Sequence, residues 1–169
     1  MQLRRLSPSD SNSYQELRLA ALRDVPSAFG SSYEEEKDFT ASTLEGRLQL
    51  KPDRGVFGAF EAAKLVGLVG LGREDRRKFE HKALLWGMYV TPQARGRGIG
   101  RALLLEALAL ARSVPAIRQV NLSVNAGNAP AIQLYESVGF KKFGFEPGAM
   151  LIDGELHDEM QMCLRFAEG

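Results

Sequence analysis

Tyr89-Val90-Thr91-Pro92-Gln93-Ala94-Arg95-Gly96-Arg97-Gly98-Ile99-Gly100-Arg101 joins a hydrophobic run, Ala83 to Val90, to an amphipathic run, Arg101 to Ala111. The pattern reads as strand, glycine-rich turn and helix. Alternating glycines leave backbone N–H groups unshielded at a helix N-terminus, where free amides and the positive end of the helix dipole suit a pyrophosphate. The ligand expected here is a nucleotide-containing cofactor. The same run can also serve only as a tight turn between strand and helix.

Two common phosphate loops fail against it. A Walker A loop needs Gly, four residues, then Gly-Lys-Ser/Thr, and no such string occurs. The dinucleotide fingerprint Gly-x-Gly-x-x-Gly meets Arg101 at its third glycine when started at Gly96, and Leu103 when started at Gly98.

Outward from this turn, Gln119 to Val124 reads as the next strand. Strand 83–90, helix 101–111 and strand 119–124 then form a βαβ crossover, which makes the two strands parallel. Asn128 and Pro130 open a helix that runs to Val138, and Gly139 stops it. Phe140 to Ile152 and Glu155 to Phe166 flank Asp153-Gly154, a two-residue hairpin turn. Upstream, Gln2 to Leu6 is a short strand. Ser7-Pro8 starts a helix with Tyr14, Leu17, Ala21 and Val25 at helical spacing, ended by Pro26. Phe29 to Phe39 reads as loop and carries Glu34-Glu35-Glu36. Ser42 and Glu45 have capping-box spacing before a short helix. Gly55 to Glu61 and Leu65 to Leu71 form a hairpin, and Arg73 to Lys82 a charged loop. The order β-α-α-β-β-β-α-β-α-β-β places residues 1–169 in the α/β or α+β class, as one layered domain.

Composition narrows the partners. Hydrophobic content of 44% and charged content of 25% are ordinary for a globular chain, and a net charge of +1 argues for neither nucleic acid nor a membrane surface. No apolar run approaches the roughly 20 residues that span a bilayer, and the N-terminus lacks a secretory signal. A cytoplasmic location is expected. With His81, His157 and the single Cys163, metal-ligand clustering is absent, so no metal is expected. Met162 and Leu164 flank Cys163 in strand-like sequence, which predicts a buried, inert thiol.

Arg95-Gly96-Arg97-Gly98-Ile99-Gly100 resembles the cofactor motif of the GNAT superfamily of N-acetyltransferases, Gln/Arg-x-x-Gly-x-Gly/Ala. Asn128 to Phe140, NAPAIQLYESVGF, is similar to that family's Asn-x-x-Ala-x-x-Leu-Tyr-x-x-x-Gly-Phe. The match covers about residues 83 to 143. It implies a mixed, mostly antiparallel twisted sheet with a central splayed parallel pair and helices on both faces. It also implies acetyl-CoA as co-substrate, with the amides of Arg95, Gly96, Arg97, Gly98, Ile99, Gly100 and Arg101 around the pyrophosphate, and the arginines adding charge. Pantetheine would lie along Met88, Tyr89 and Val90, with Gly87 marking a bulge. Asn128 is counted among the cofactor-binding residues.

The implied activity is transfer of an acetyl group to a primary amine of a small molecule or peptide, by a monomer or homodimer. The alternative is a non-catalytic acyl-CoA-binding module. Tyr135 is the implied acid for the leaving thiolate. A phenol of pKa about 10 against a thiol of about 8.5 makes full proton transfer uphill by roughly 2 kcal/mol in water, so a hydrogen bond to the thiolate fits equally well. Keeping a lysine-like amine neutral at pH 7 costs roughly 4.5 kcal/mol without a base or water relay. The family's strand glutamate is missing from Leu84 to Met88. Glu34, Glu35, His81, His157 and Glu159 are the candidate bases, and a water chain without a dedicated base is the preferred reading. The acidic cluster would suit a cationic acceptor.

Overall fold

The computed structural model describes residues 1–167. A seven-stranded sheet runs β1 (Gln2–Arg5), β2 (Arg54–Glu61), β3 (Lys64–Arg73), β4 (Lys82–Val90), β5 (Gln119–Asn125), then β7 (Glu155–Arg165) and β6 (Lys141–Ile152) at the far edge. Every neighbouring pair is antiparallel except β4 and β5. The crossover between those two is α4 (Ile99–Ser113).

On one face, α4 and α5 (Ala129–Ser137) cover the sheet. Leu103, Leu104, Ala107, Leu108 and Ala111 of α4 are buried against Val69, Leu71, Val120 and Leu122, as the apolar stripe predicts. On the other face, α1 (Ser11–Asp24), α2 (Tyr33–Glu36) and α3 (Ala41–Arg47) cover β1 to β4, with Tyr14, Leu17, Ala21 and Leu22 packed on Val56, Leu65 and Leu68. Each fully buried leucine contributes about 2 kcal/mol by apolar transfer. The odd-numbered residues of β5 and β7 lie on this second face, beyond the reach of α1 to α3. Asn121, Ser123, Asn125, Glu159, Gln161 and Cys163 make it polar.

Several boundaries differ from the sequence reading. Ser7 and Asp10 form a capping box around a 3-10 turn, Pro8–Asp10, so α1 starts only at Ser11. The loop expected over residues 29–39 contains α2, capped by Ser32, whose side chain accepts from the Glu35 amide while Glu35 reaches back. Thr40, not Ser42, caps α3, because its hydroxyl reaches the Thr43 amide. Helix α4 starts two residues early, at Ile99, because Gly98 takes the left-handed conformation (φ 78°) at the N-cap. Cys163 is half-buried rather than buried, since its side of β7 is the polar face.

Candidate active site

The site forms where β4 and β5 part. They pair only at Lys82–Gln119, Ala83–Val120 and Leu84–Asn121, so the rest of both strands separates. On its other edge, β4 stays paired with β3 out to Val90. The register there slips: Leu68 faces Tyr89 and Gly70 faces Trp86, leaving Gly87 and Met88 opposite the single Val69. This is a β-bulge at the glycine, as expected, and Gly87 adopts φ 67°, which an L side chain rarely tolerates. The bulge turns β4 away from β5.

Above the gap lies the glycine turn. Gly96 and Gly98 both have positive φ, 76° and 78°, and a Cβ on either would meet no atom within 4 Å. Glycine is needed here for conformation, and the space over the backbone is open. The amides of Gly96, Arg97, Gly98, Ile99, Gly100 and Arg101 have no hydrogen-bond acceptor among the described residues; the first amide held inside the helix is that of Ala102, bonded to the Gly98 carbonyl at 3.0 Å. A row of unpaired donors at a helix N-terminus is an anion cradle.

The three arginines behave differently from one another. Arg95 turns back, donating through Nε to the Val90 carbonyl at 2.9 Å and through Nη2 to Asp24 Oδ2 at 2.9 Å. Asp24 also accepts from the Tyr89 hydroxyl at 2.9 Å. Burial and the bond to Asp24 push the Tyr89 phenol up to about 12. Arg97 pairs with Glu61 at 2.9 Å. Arg101 is exposed and has no ion-pair partner among the described residues.

Tyr135 reaches the gap from α5, opened by Asn128, whose side chain caps Ala131 at 3.2 Å, with Pro130 in the first turn. The Tyr135 ring packs edge-on against Phe140 at 5.8 Å and is 7% exposed. Burial pushes its phenol up to about 12. Tyr135 lines a cavity of about 70 Å³ together with Gly87, Met88, Ser123, Asn125 and Asn128. The structure thus brings Met88, Asn128 and Tyr135 together at the apex of the gap and leaves the amide cradle at its upper end.

A second cleft, of about 750 Å³, lies beside the first. Its walls are Arg23 at the end of α1, Phe29, Tyr33 and Glu34 from the segment that follows, and the end of the β6–β7 hairpin, including Met150 and Asp153. Phe29 and Tyr33 belong to the stretch read as loop. The acidic cluster is divided among three tasks. Glu34 lines this cleft, Glu35 caps α2, and Glu36 is buried at 2% exposure. Glu36 is held by Arg18 at 2.9 and 3.1 Å and by Arg47 at 3.4 Å.

Among the candidate bases, His81 lies at the wrong end. It precedes β4, where its carbonyl accepts from Arg118, so it faces away from the gap. Glu35 spends its carboxylate on Ser32, whose backbone and side-chain hydrogen bonds hold it below the usual range. His157 stands opposite Met150 of the cleft wall. Glu159 stands between Asn125 and Glu146.

Two features escape sequence reading. Asp24, which ties α1 to Tyr89 and Arg95, has no motif to mark it. Arg18 does carry a signal: it falls four residues after Tyr14 and four before Leu22, on the buried face of α1. Among the described residues no cluster of His, Cys, Asp and Glu is placed to hold a metal, and no helix is long and apolar enough to cross a membrane.

The family model for the acetyltransferase (GNAT) family matches residues 18–140. The mycothiol acetyltransferase of Acidothermus cellulolyticus is 33% identical over 159 residues, covering 85% of this chain and 46% of its own length. The N-alpha-acetyltransferase RimI of Mycobacterium tuberculosis is 40% identical over 94 residues, 55% of this chain and 56% of its own length. This chain therefore spans about half the length of each of these two curated relatives. In three dimensions, the Salmonella typhimurium protein yncA, solved with its cofactor acetyl-CoA, superposes with a TM-score of 0.83 at 21% identity, covering 100% of this chain and 95% of that one. With the model match running from Arg18 to Phe140, across the splayed strands, the glycine turn and Tyr135, this chain belongs to the acetyltransferase (GNAT) family.

Proposed function

We propose that this chain transfers the acetyl group of acetyl-CoA directly to a primary amine. The observation that carries the reading is the row of unpaired amides from Gly96 to Arg101, standing over a gap whose edge is the unpaired side of β4. A pyrophosphate accepts from the row, and an extended pantetheine fills the missing strand position along Met88, Tyr89 and Val90. The side chains of Arg95 and Arg97 are engaged with Asp24 and Glu61, so the backbone and Arg101 do most of the holding. Surface pairs of this kind contribute no more than about 1 kcal/mol each. The yncA structure, with acetyl-CoA bound to the same fold, supports this choice of co-substrate.

Tyr135 faces the thioester sulfur from the apex. With its phenol pushed up to about 12, giving its proton fully to a thiolate is uphill by roughly 5 kcal/mol. Its role is therefore to donate a hydrogen bond to the leaving sulfur, with the proton arriving from solvent. The acceptor enters through the cleft between Tyr33 and Met150, which opens toward Glu34 and Asp153. The relatives' names make peptide N-termini and amines of the mycothiol type the first acceptors to try.

The test is CoA thiol release from acetyl-CoA against a panel of peptide N-termini, amino acids, mycothiol-type amines, polyamines and aminoglycosides. Turnover on one class, lowered by Tyr135→Phe, supports the reading. Acetyl-CoA binding without turnover on any amine overturns the transfer step in favour of an acyl-CoA-binding module.

A further inference from the structure

We infer that Glu159 is the proton acceptor for the attacking amine. This rests on the transfer reading above and adds the base that β4 does not supply.

Position singles it out. Along β7, His157 stands opposite Met150, which walls the acceptor cleft. Two residues on, Glu159 stands opposite Asn125, which lines the cavity of Tyr135, Gly87 and Met88. Alternation along a strand puts residues 157, 159 and 161 on one face, the polar face that Ser123 and Asn125 share. Glu159 therefore lies between the place where the acceptor enters and the place where the thioester reacts. The 3-10 turn Pro26–Ala28 packs against β5 and β6, the two strands that flank β7.

The surroundings suit a base. From β6, Glu146 stands directly opposite Glu159, and like charges at such a cross-strand pair repel. From β5 it faces Asn125, and on its own strand His157 and Gln161 flank it on the same face. No cation forms an ion pair with it among the described residues. Partial burial, and then the neighbouring Glu146, raise its carboxyl above the usual range. A carboxylate raised toward the working pH is a better proton acceptor than an ordinary one.

The step balances without further reagents. The ammonium gives one proton to the Glu159 carboxylate. The neutral nitrogen attacks the thioester carbon, the C–S bond breaks, and the amide N–C bond forms. As the amide forms the nitrogen sheds its second proton to solvent, the CoA sulfur leaves as thiolate and takes one proton from solvent, and Glu159 releases the proton it accepted.

The experiment is the pH dependence of kcat with the best acceptor of the panel, alongside acetyl-CoA affinity and melting temperature for each variant. Glu159→Gln is expected to lower kcat about 100-fold, and to remove the acid limb, while binding acetyl-CoA normally. Glu159→Asp should restore part of the rate. Glu146→Gln removes the like charge, so Glu159 ionises more readily and the acid limb moves to lower pH. Wild-type turnover with an acid limb unmoved by either Gln variant overturns this assignment alone. No wild-type turnover on the whole panel overturns the transfer reading and this assignment with it.

Discussion

The two edges of β4 have opposite characters. Toward β3 the strand is paired to its end, and the residues around that seam are buried against α1 to α3, down to the ion pair of Arg18 with Glu36. Toward β5 the pairing stops at Leu84, and the remainder of that edge is open backbone, leading to a glycine turn and one tyrosine. The closed seam is held by side chains, so its substitutions should be read in stability. The open seam is made largely of main chain, so its substitutions should be read in binding and rate.

The largest effect belongs on the closed side. Arg18→Met leaves Glu36 buried with only Arg47 at 3.4 Å, and should cost about 3–5 kcal/mol in chemical denaturation. The double variant Arg18→Met/Glu36→Leu should recover most of it, because replacing a buried pair by apolar residues is often neutral. A double variant as unstable as the single one would mean that the pair organises α2 in some further way. Gly87→Ala comes next and crosses the division. Its φ of 67° costs an L residue about 1–2 kcal/mol, and its Cβ would stand 3.2 Å from Arg18 Nη1. Moderate destabilisation with a larger fall in kcat is expected, since the bulge shapes the gap.

On the open side, Tyr135→Phe should leave the melting temperature nearly unchanged and lower kcat by about 100-fold. Asp24→Asn should be weaker. It frees the Arg95 guanidinium and removes a negative charge near the anion cradle, and so lowers the acetyl-CoA Kd by a few-fold, an amount that shrinks as salt is added. The smallest effect lies far from both seams. The Arg4 guanidinium holds the Asp10 carboxyl down at about 2. A lowered carboxyl stabilises the fold above its unfolded value, and that contribution fades as pH falls through the folded one. Stability should therefore drop between roughly pH 4 and pH 2, and Asp10→Asn should flatten that part of the curve.

Legibility in the sequence divides the same way. The turn at Gly96–Gly98, the crossover helix, the bulge at Gly87 and the Asp153-Gly154 hairpin are legible because each depends on local rules of backbone conformation and periodicity. Helix α2 is not, because a single turn of helix has no period to detect; only the Ser32–Glu35 box marks it. The acidic run misleads for a related reason. Neighbours in sequence point in different directions on a helix, so Glu34, Glu35 and Glu36 end in a cleft, a cap and a buried ion pair. Asp24 meets Tyr89 and Arg95 across 65 and 71 residues, a contact that only the assembled sheet creates. In the sequence Glu159 is one candidate base among several, and only the strand register sets it beside Asn125.

The unpaired edge of β4 also gives the chain a built-in reporter. An amide without a partner exchanges its hydrogen with water freely, while one in a ladder is protected. In the free chain, the amides on the β5 side of residues 85–90 and those from Gly96 to Arg101 form a contiguous fast-exchanging stripe through an otherwise protected strand and helix. A guest strand would turn that stripe slow without moving the fold. Deuterium uptake at those few residues can thus report occupancy of the gap without any knowledge of the acceptor.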